Sequence, residues 1–186
     1  MKSFKKASLS IRLIFTLLFI STTTSLLYSC TTLPQNIATT TTLEAPVACF
    51  PPTQSCLKLI LEQIDNAKST IYVQTYSFTS QEIADSLIRA HNRGVQVKVL
   101  MDRTSLTSRG SKIKNLINSG IFVQVCKVPG IAHNKVLIID DHTVITGSYN
   151  HTQAAELRNA ENIVIIRDSN IVKAYLDNWS ALKRRE

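Results

Sequence analysis

Apolar residues recur along the chain with two alternating periods. The spacing of three and four residues that is typical of helices occurs in segments 57–64, 83–90, 113–117 and 171–179. Between them lie short runs rich in β-branched and aromatic residues, which predict strands at 71–76, 95–101, 121–125, 136–139, 144–146 and 163–166. Thr79, with Glu82 three residues later, predicts a capping box that starts the second helix. This alternation predicts an α/β fold with a mixed β-sheet sandwiched between helices.

The first thirty residues differ from the rest of the chain. They contain a basic stretch up to Arg12, an apolar run at 13–20, and small or polar residues that end at Cys30. This order is typical of a signal peptide, so we expect residues 1–30 to direct export and the protein to be secreted or periplasmic. An uncleaved anchor is the alternative, but the apolar run is much shorter than the ~20 residues that span a bilayer. Segment 27–30 loosely resembles a lipoprotein cleavage box, so lipidation of Cys30 is a further alternative.

Composition then separates a spacer from one domain. Residues 31–46 are rich in threonine and show no apolar periodicity, which predicts a flexible spacer before a single domain at 47–186. The formal net charge of the whole chain is +8, from 21 basic and 13 acidic residues. Four of the basic residues fall in the first thirty positions, which leaves a mildly basic domain. Such a domain is compatible with nucleic acid or with an anionic membrane surface, and charge does not distinguish these partners.

Four cysteines constrain the redox chemistry and the metal chemistry. Cys49 and Cys56 bracket a turn-rich loop, and in an exported protein this favours a disulfide between them. Two free, buried thiols are the alternative. Cys126 adjoins an apolar run and is expected to be a small core residue. No Cys and His spacing fits a zinc site, and no carboxylate cluster suggests magnesium, so we expect a site without metal or cofactor.

The residues best suited to chemistry lie between positions 133 and 161. His133 and Lys135 are two residues apart, so on a strand both side chains would point to one face. A neutral imidazole can attack phosphorus, and a fixed lysine with nearby hydroxyl and amide donors can hold phosphoryl oxygens. Ser148 and Asn150, which follow Gly147, are suitable donors. Each residue alone is more often structural or solvated, so the interpretation depends on the combination.

The segment from His133 to Asn150 resembles the signature of the phospholipase D superfamily, which is His-x-Lys, four residues, Asp, six residues, Gly-Ser-x-Asn. The resemblance continues through segments 76–79, 93–95 and 160–162 and covers nearly all of residues 47–186. The chain is most similar to the small branch with a single motif. That branch includes exported bacterial endonucleases of the Nuc type and short phospholipase D-like proteins of intracellular bacteria.

The resemblance implies a role for each residue of the motif. His133 would attack phosphorus and become a phosphohistidine, while Lys135, Ser148 and Asn150 would hold the phosphate. It also implies an exported, metal-independent phosphodiesterase that needs no cofactor.

Three further residues have supporting or alternative places in this scheme. The resemblance assigns Glu161 to orienting the histidine ring and stabilising its charged form. Asp140 matches the acid of the motif and counts among its catalytic residues, although its place at the far end of the strand indicates a supporting role. His151 would either contact substrate or pack in the core, and we favour packing.

The substrate is not determined by these residues. DNA, RNA and the head-group ester of a phospholipid all present the same phosphodiester to His133. We favour a nucleic acid, because the domain is small and basic and no exposed amphipathic helix suggests a lipid interface. A phospholipase D is the alternative, and an exported binding protein without turnover is a third interpretation.

The single motif has a consequence for the oligomeric state. A phosphohistidine mechanism needs a general acid, normally a second imidazole, to protonate the leaving oxygen. Larger relatives have two motif-bearing halves, so the resemblance implies a homodimer in which two copies of His133 share one site on a two-fold axis. The alternative is a monomer in which His142 or His151 supplies the proton.

Overall fold

A seven-stranded mixed sheet organises residues 44–184, which are the residues described by the computed structural model. The strands are β1 (Val47–Cys49), β2 (Thr70–Thr75), β3 (Gln96–Met101), β4 (Phe122–Val125), β5 (Val136–Ile139), β6 (Thr143–Gly147) and β7 (Ile163–Ile166). They lie in the order β1-β7-β6-β5-β2-β3-β4. Strands β2, β3 and β4 pair in parallel, and every other neighbouring pair is antiparallel. The predicted signal peptide at 1–30 and most of the predicted spacer at 31–46 lie outside the described residues, so both stay predictions.

Helices cover both faces of the sheet, as the apolar pattern predicts. They are α1 (Cys56–Asn66), α2 (Gln81–Asn92), α3 (Ile113–Asn118), α4 (Gln153–Leu157) and α5 (Ser169–Lys183), with a 3₁₀ turn at Arg103–Leu106. Apolar residues of α1, α2 and α3 share one core with the sheet. Val172 and Trp179 of α5 form a second core with Ile138 and Val144, on the opposite face. Within residues 44–184, no helix is both long enough and apolar enough to cross a membrane.

Helix α2 starts one residue later than the capping box predicted. Its N-cap is Ser80, whose Oγ accepts a hydrogen bond from the amide of Ile83 at 3.2 Å and donates one to Glu82 at 2.9 Å. The amides of Thr79 and Ser80 both donate to the carbonyl oxygen of His151, at 2.9 and 3.0 Å. Because this contact holds Thr79 in the preceding connection, the prediction that Thr79 caps the helix is wrong.

The strand directions bring five connections together at one edge of the sheet. This upper edge consists of segments 50–55, 76–80, 102–112, 126–135 and 148–162. The lower edge, at the opposite ends of the strands, consists of segments 67–69, 93–95, 119–121, 140–142 and 167–168. Residues far apart in the chain therefore meet at the upper edge.

Candidate active site

His133 and Lys135 lie at the upper edge, just before β5 begins at Val136. The strand alternation expected for them therefore does not apply, and an aromatic ring brings them together instead. The ring of Tyr76, which follows β2, lies 4.4 Å from the imidazole of His133 between centroids. The same ring centroid lies 4.9 Å from Nζ of Lys135, within reach of a cation–π interaction. One tyrosine thus contacts both the candidate nucleophile and the candidate phosphate-binding cation.

The two side chains differ in exposure. Lys135 is 7% exposed and its Nζ donates a hydrogen bond to the carbonyl oxygen of His133 at 2.6 Å, whereas His133 is exposed. Both line an open cavity of about 350 Å³ between β5, β6 and α5. Burial lowers the pKa of Lys135, and the negative charge of Glu161 opposes that shift. An ammonium in partly desolvated surroundings acts more strongly on a phosphoryl group than one in water.

A buried glutamine fixes the backbone between the two residues. Gln74 of β2 is 3% exposed, and its Oε1 accepts a hydrogen bond from the side chain of Asn134 at 2.8 Å. Its Nε2 donates to Oδ1 of Asn178 on α5 at 3.2 Å. Helix α5 is thereby connected to the residue between His133 and Lys135. The hydrophobic pattern did not predict this link, although a polar residue within a strongly apolar strand was a signal for it.

A buried carboxylate fixes the segment on the other side of His133. Asp102, at the end of β3, is 2% exposed and accepts a hydrogen bond from the amide of Ala132 at 2.8 Å. Its other oxygen accepts from the amide and the hydroxyl of Thr104, at 2.9 and 2.7 Å. Burial acts to raise the pKa of Asp102, but these hydrogen bonds outweigh it and the pKa is lowered. A charged carboxylate therefore holds the residue directly before the imidazole.

The segment after β6 brings Ser148 close to the start of β7. A Cβ at Gly147 would lie 2.1 Å from the backbone oxygen of Asn162, so only glycine permits this approach. Oγ of Ser148 accepts hydrogen bonds from the amide of Asn162 at 3.1 Å and from its side chain at 3.3 Å. The hydroxyl proton of Ser148 is not used in these bonds and remains a donor.

Asn150 and Glu161 also lie at the upper edge. Oδ1 of Asn150 is buried and has no hydrogen-bond partner among residues 44–184, which is uncommon. This oxygen can only accept, so any hydrogen bond from Asn150 to a phosphoryl oxygen would come from its Nδ2. Glu161 is half-buried, accepts a hydrogen bond from the side chain of Asn159 at 3.0 Å, and acts electrostatically on Lys135. Within the described part of the chain it makes no hydrogen bond to His133, so its role in orienting the ring stays a prediction.

His151 packs in the core, in agreement with the favoured interpretation. It is 2% exposed, its Nδ1 lies 2.9 Å from the hydroxyl of Thr75, and its ring meets Phe78 edge-on. Burial, together with the positive charge of Lys135, lowers the pKa of His151 to about 4. The imidazole of His151 is therefore neutral near pH 7.

Asp140 does not come to this site. It lies at the lower edge, in the turn between β5 and β6, with the whole length of β5 between it and Lys135. Its carboxylate accepts hydrogen bonds from the amides of Lys68, Ser69 and Thr70, at 2.8, 2.7 and 3.0 Å. The geometry gives Asp140 no contact with a phosphodiester held at His133, and it supports the scaffold instead.

The cysteines among the described residues form one disulfide and leave one free thiol. Cys49 and Cys56 are joined by a disulfide, with Cα atoms 5.7 Å apart, that closes loop 50–55 at the upper edge. Cys126 is a buried free thiol. Among residues 44–184, no group of three or more His, Cys, Asp or Glu side chains could hold a metal ion.

Comparisons with known proteins identify similar sequences and a similar fold. The family described as "Cardiolipin synthase, PLD-like domain" matches residues 60–182. A protein named Phospholipase D from Rickettsia bellii is 49% identical over 137 residues, which cover 74% of this chain and 68% of that protein. The protein of the same name from Rickettsia conorii is 50% identical over 131 residues, covering 70% and 66%. The chain thus matches about two thirds of the length of these relatives.

A solved structure agrees with the observed architecture. The crystal structure described as a phospholipase D family member, Nuc from Salmonella typhimurium, superposes with a TM-score of 0.72 at 36% sequence identity. The match covers 76% of this chain and 95% of that one. The α/β fold with a mixed sheet between helices is confirmed.

Proposed function

Because this chain belongs to the phospholipase D superfamily and is a phosphodiester hydrolase of that type, we propose that it cleaves the head-group phosphodiester of phospholipids. The observation that carries the choice of substrate is the identity of 49% and 50% to two Rickettsia proteins named phospholipase D. The small size and the basic charge of the domain favoured nucleic acid as the substrate. Since those two properties suit either substrate, the named relatives outweigh them.

In the proposed reaction, the neutral imidazole of His133 attacks phosphorus. The N–P bond forms as the bond from phosphorus to the head-group oxygen breaks, and a general acid gives that oxygen a proton. Lys135, Ser148 and Asn150 hold the non-bridging oxygens. Water then attacks phosphorus, gives a proton to the same group, and displaces His133 as the N–P bond breaks. Atoms and protons balance without a metal ion or a cofactor.

The arrangement of exposed and buried groups supports this division of roles. His133 is accessible to a large substrate, while Lys135 is nearly covered and sits against Tyr76. A fixed cation in partly desolvated surroundings stabilises charge that develops on phosphoryl oxygens in the transition state.

We infer that the general acid is His133 of a second copy of the chain. His151 is buried and unprotonated near pH 7, since its pKa is about 4. His142 and His91 lie in the lower-edge turn and near the lower-edge end of α2, across the sheet from the site. The sequence contains four histidines, so these positions account for all of them. The arrangement supports a homodimer with a shared site over a monomer that supplies its own acid.

The substrate is tested with the purified full-length chain in the presence of EDTA. Phosphatidylcholine in detergent mixed micelles, plasmid DNA and RNA are offered separately. We expect release of the head group from the lipid, and no turnover by His133→Ala. The matched control is His142→Ala at the lower edge, which should keep wild-type rates. Cleavage of DNA or RNA without lipid hydrolysis would replace the proposed substrate, and no hydrolysis at all would favour a binding protein.

The mechanism and the dimer need separate measurements. An acid-labile phosphohistidine should be trapped at His133 after a rapid quench with a labelled diester. Sedimentation of the full-length chain should show a dimer whose specific activity falls as dilution separates the subunits. A monomer with full specific activity would overturn the shared site.

A further inference from the structure

The imidazole of His133 has no hydrogen bond within residues 44–184 that would fix its orientation. Side-chain hydrogen bonds in this part of the chain reach the rings of His142 and His151 but not the ring of His133. His133 is also exposed, so it is not held by packing on all sides. A nucleophile must nevertheless meet phosphorus in one orientation, because a misplacement of about 1 Å can cost about a hundredfold in rate. Another contact must therefore orient this ring.

The half-buried ring of Tyr76 supplies that contact. It lies 4.4 Å from the imidazole of His133 between centroids, and the two ring planes are tilted by 58°. This separation is near the short end of the range in which tilted aromatic rings attract one another. The contact uses no hydrogen bond, so it commits neither ring nitrogen of His133. The imidazole can thus be held in place and still form a bond to phosphorus.

The ring of Tyr76 also lies against the ammonium of Lys135. Nζ of Lys135 is 4.9 Å from the ring centroid and donates one hydrogen bond, to the carbonyl oxygen of His133 at 2.6 Å. Within residues 44–184 it forms no ion pair with a carboxylate. An aromatic face attracts a cation without neutralising it, so Lys135 keeps its charge and two further N–H donors for phosphoryl oxygens.

The backbone around Tyr76 is fixed by the residues that follow β3. The carbonyl oxygen of Tyr76 accepts a hydrogen bond from the buried hydroxyl of Ser105 at 2.5 Å. The amide of Asp102 donates to the carbonyl oxygen of the residue before Tyr76 at 3.0 Å. The carboxylate of Asp102 accepts from the amide of the residue before His133 at 2.8 Å. Asp102 therefore ties together the two segments whose rings are in contact.

We propose that Tyr76 is a positioning residue whose ring holds the imidazole of His133 and the ammonium of Lys135 in the arrangement that the chemical steps require. This inference rests on the proposed function, because it gives Tyr76 a part in the attack of His133 on a phosphodiester. It does not depend on which diester is cleaved. The ring carries the role, and the hydroxyl of Tyr76, which makes no hydrogen bond within residues 44–184, is dispensable.

The test compares substitutions of Tyr76 with a matched control in the full-length chain. Tyr76→Phe keeps the ring and removes the hydroxyl, whereas Tyr76→Leu and Tyr76→Met remove the ring and fill part of its volume. The control is Tyr72→Leu, because Tyr72 is a half-buried tyrosine of β2 whose ring packs on Trp179 at 4.8 Å. Each protein is assayed for kcat and KM on the soluble diester bis(p-nitrophenyl) phosphate, for its urea unfolding midpoint and for its sedimentation coefficient.

We expect Tyr76→Leu and Tyr76→Met to lower kcat about 10- to 100-fold while KM stays within about threefold of the wild type, because positioning acts on the transition state. Since Tyr76→Phe retains the ring, its kcat should stay within about threefold of the wild type. Tyr72→Leu should keep the wild-type kcat, whatever stability it loses.

A spectroscopic measurement tests the contact itself. An aromatic ring shifts the resonances of protons that lie close to it. The carbon-bound ring protons of His133, assigned in histidine-labelled protein by comparison with His133→Ala, should therefore move in Tyr76→Leu. They should stay in place in Tyr76→Phe and in Tyr72→Leu.

Three kinetic results would overturn the inference. One is a wild-type kcat in the folded variants that lack the ring. Another is a loss in Tyr76→Phe as large as in Tyr76→Leu, which would give the role to the hydroxyl. The third is a lower sedimentation coefficient of Tyr76→Leu with activity that returns at high protein concentration, which would assign Tyr76 to the contact between two copies.

Failure of the proposed function is read separately, from the wild type. A wild type that hydrolyses no diester would refute the proposed function. The ring-proton resonances then decide the inference, because unchanged His133 resonances in Tyr76→Leu would show that Tyr76 does not hold this imidazole.

Discussion

Replacing Asp140 should destabilise the fold while leaving the chemistry at His133 intact. The carboxylate accepts hydrogen bonds from three consecutive amides, at 68–70, and from the hydroxyl of Ser69. These bonds fasten the connection between α1 and β2 to the turn between β5 and β6. A variant without the carboxylate leaves three amides with no acceptor in the protein.

The expected loss of stability depends on how exposed the three amides are and on the backbone conformation of Asp140. Hydrogen bonds to a charged acceptor contribute about 1.5–3 kcal/mol each when buried, but residues 68 and 69 are exposed and water can replace part of that. Asp140 has a φ of +53°, where an alanine would add backbone strain and a glycine would not. We therefore expect Asp140→Gly to lose about 2–3 kcal/mol of unfolding free energy. Asp140→Asn keeps one acceptor oxygen and should lose about half as much.

The pH dependence supplies an independent check. Partial burial acts to raise the pKa of Asp140, but the hydrogen bonds from Ser69, Thr70 and Lys68 outweigh it and lower the pKa. A carboxyl whose pKa is lower in the folded state stabilises the protein above its unfolded pKa of about 3.9. That contribution is lost as the pH falls through the folded pKa. The wild type should therefore lose more stability than Asp140→Gly between pH 5 and the acid limit.

The assay is urea unfolding followed by circular dichroism, combined with kcat and KM measured on folded protein. The unfolding midpoint should fall for Asp140→Gly, and kcat should stay within about threefold of the wild type, since no contact joins Asp140 to His133. An unchanged midpoint with a hundredfold loss of kcat would refute this reasoning and return Asp140 to the chemical step.

Four further predictions concern the upper edge. Gly147→Ala should destabilise the protein by about 1–3 kcal/mol and abolish turnover, measured by urea unfolding and diester hydrolysis, because its Cβ meets a backbone oxygen at 2.1 Å. The rate of diester hydrolysis should fall as the pH rises, because Lys135 loses its charge. This fall should occur at a pH below the ordinary pKa of lysine, since burial lowers the pKa of Lys135. Glu161→Gln should move that limb of the pH profile to still lower pH, because the charge of Glu161 raises the pKa of Lys135. Peptide mapping without reductant should recover Cys49 and Cys56 in one linked fragment, and alkylation of both before reduction would contradict the disulfide.

Periodicity predicted the larger elements because each of them buries a regular apolar face. The β7 prediction agrees with the strand at both ends, and α1, α2 and α5 follow apolar stripes of several turns. Strand β1 and helix α4 were missed, since they have three and five residues and α4 buries only Ala155. Elements this short are held by pairing with β7 and by the contacts of Glu156, which no local pattern reveals.

The site was predicted in its residues but not in its supports. His133 and Lys135 were placed on a strand, whereas tertiary hydrogen bonds hold the segment in front of β5. Asp102 fixes the amide before His133, and Gln74 fixes the side chain after it. Both are polar residues within or at the end of a strongly apolar strand, and their near-complete burial could have been suspected only from that contrast.

The spacing of the motif explains why Asp140, which supports the scaffold, was predicted together with the catalytic residues. The four positions between Lys135 and Asp140 are the four residues of β5, and the segment from Asp140 to Gly147 is the turn followed by β6. The signature is therefore a β-hairpin whose open end carries His133 and Ser148 and whose closed end carries Asp140. The two strands of a hairpin run in opposite directions between the two edges of the sheet. The number of residues between Lys135, Asp140 and Gly147 is therefore set by the length of the two strands. Which edge performs chemistry is decided by the residues that other strands contribute there, above all Tyr76 after β2 and Asp102 after β3.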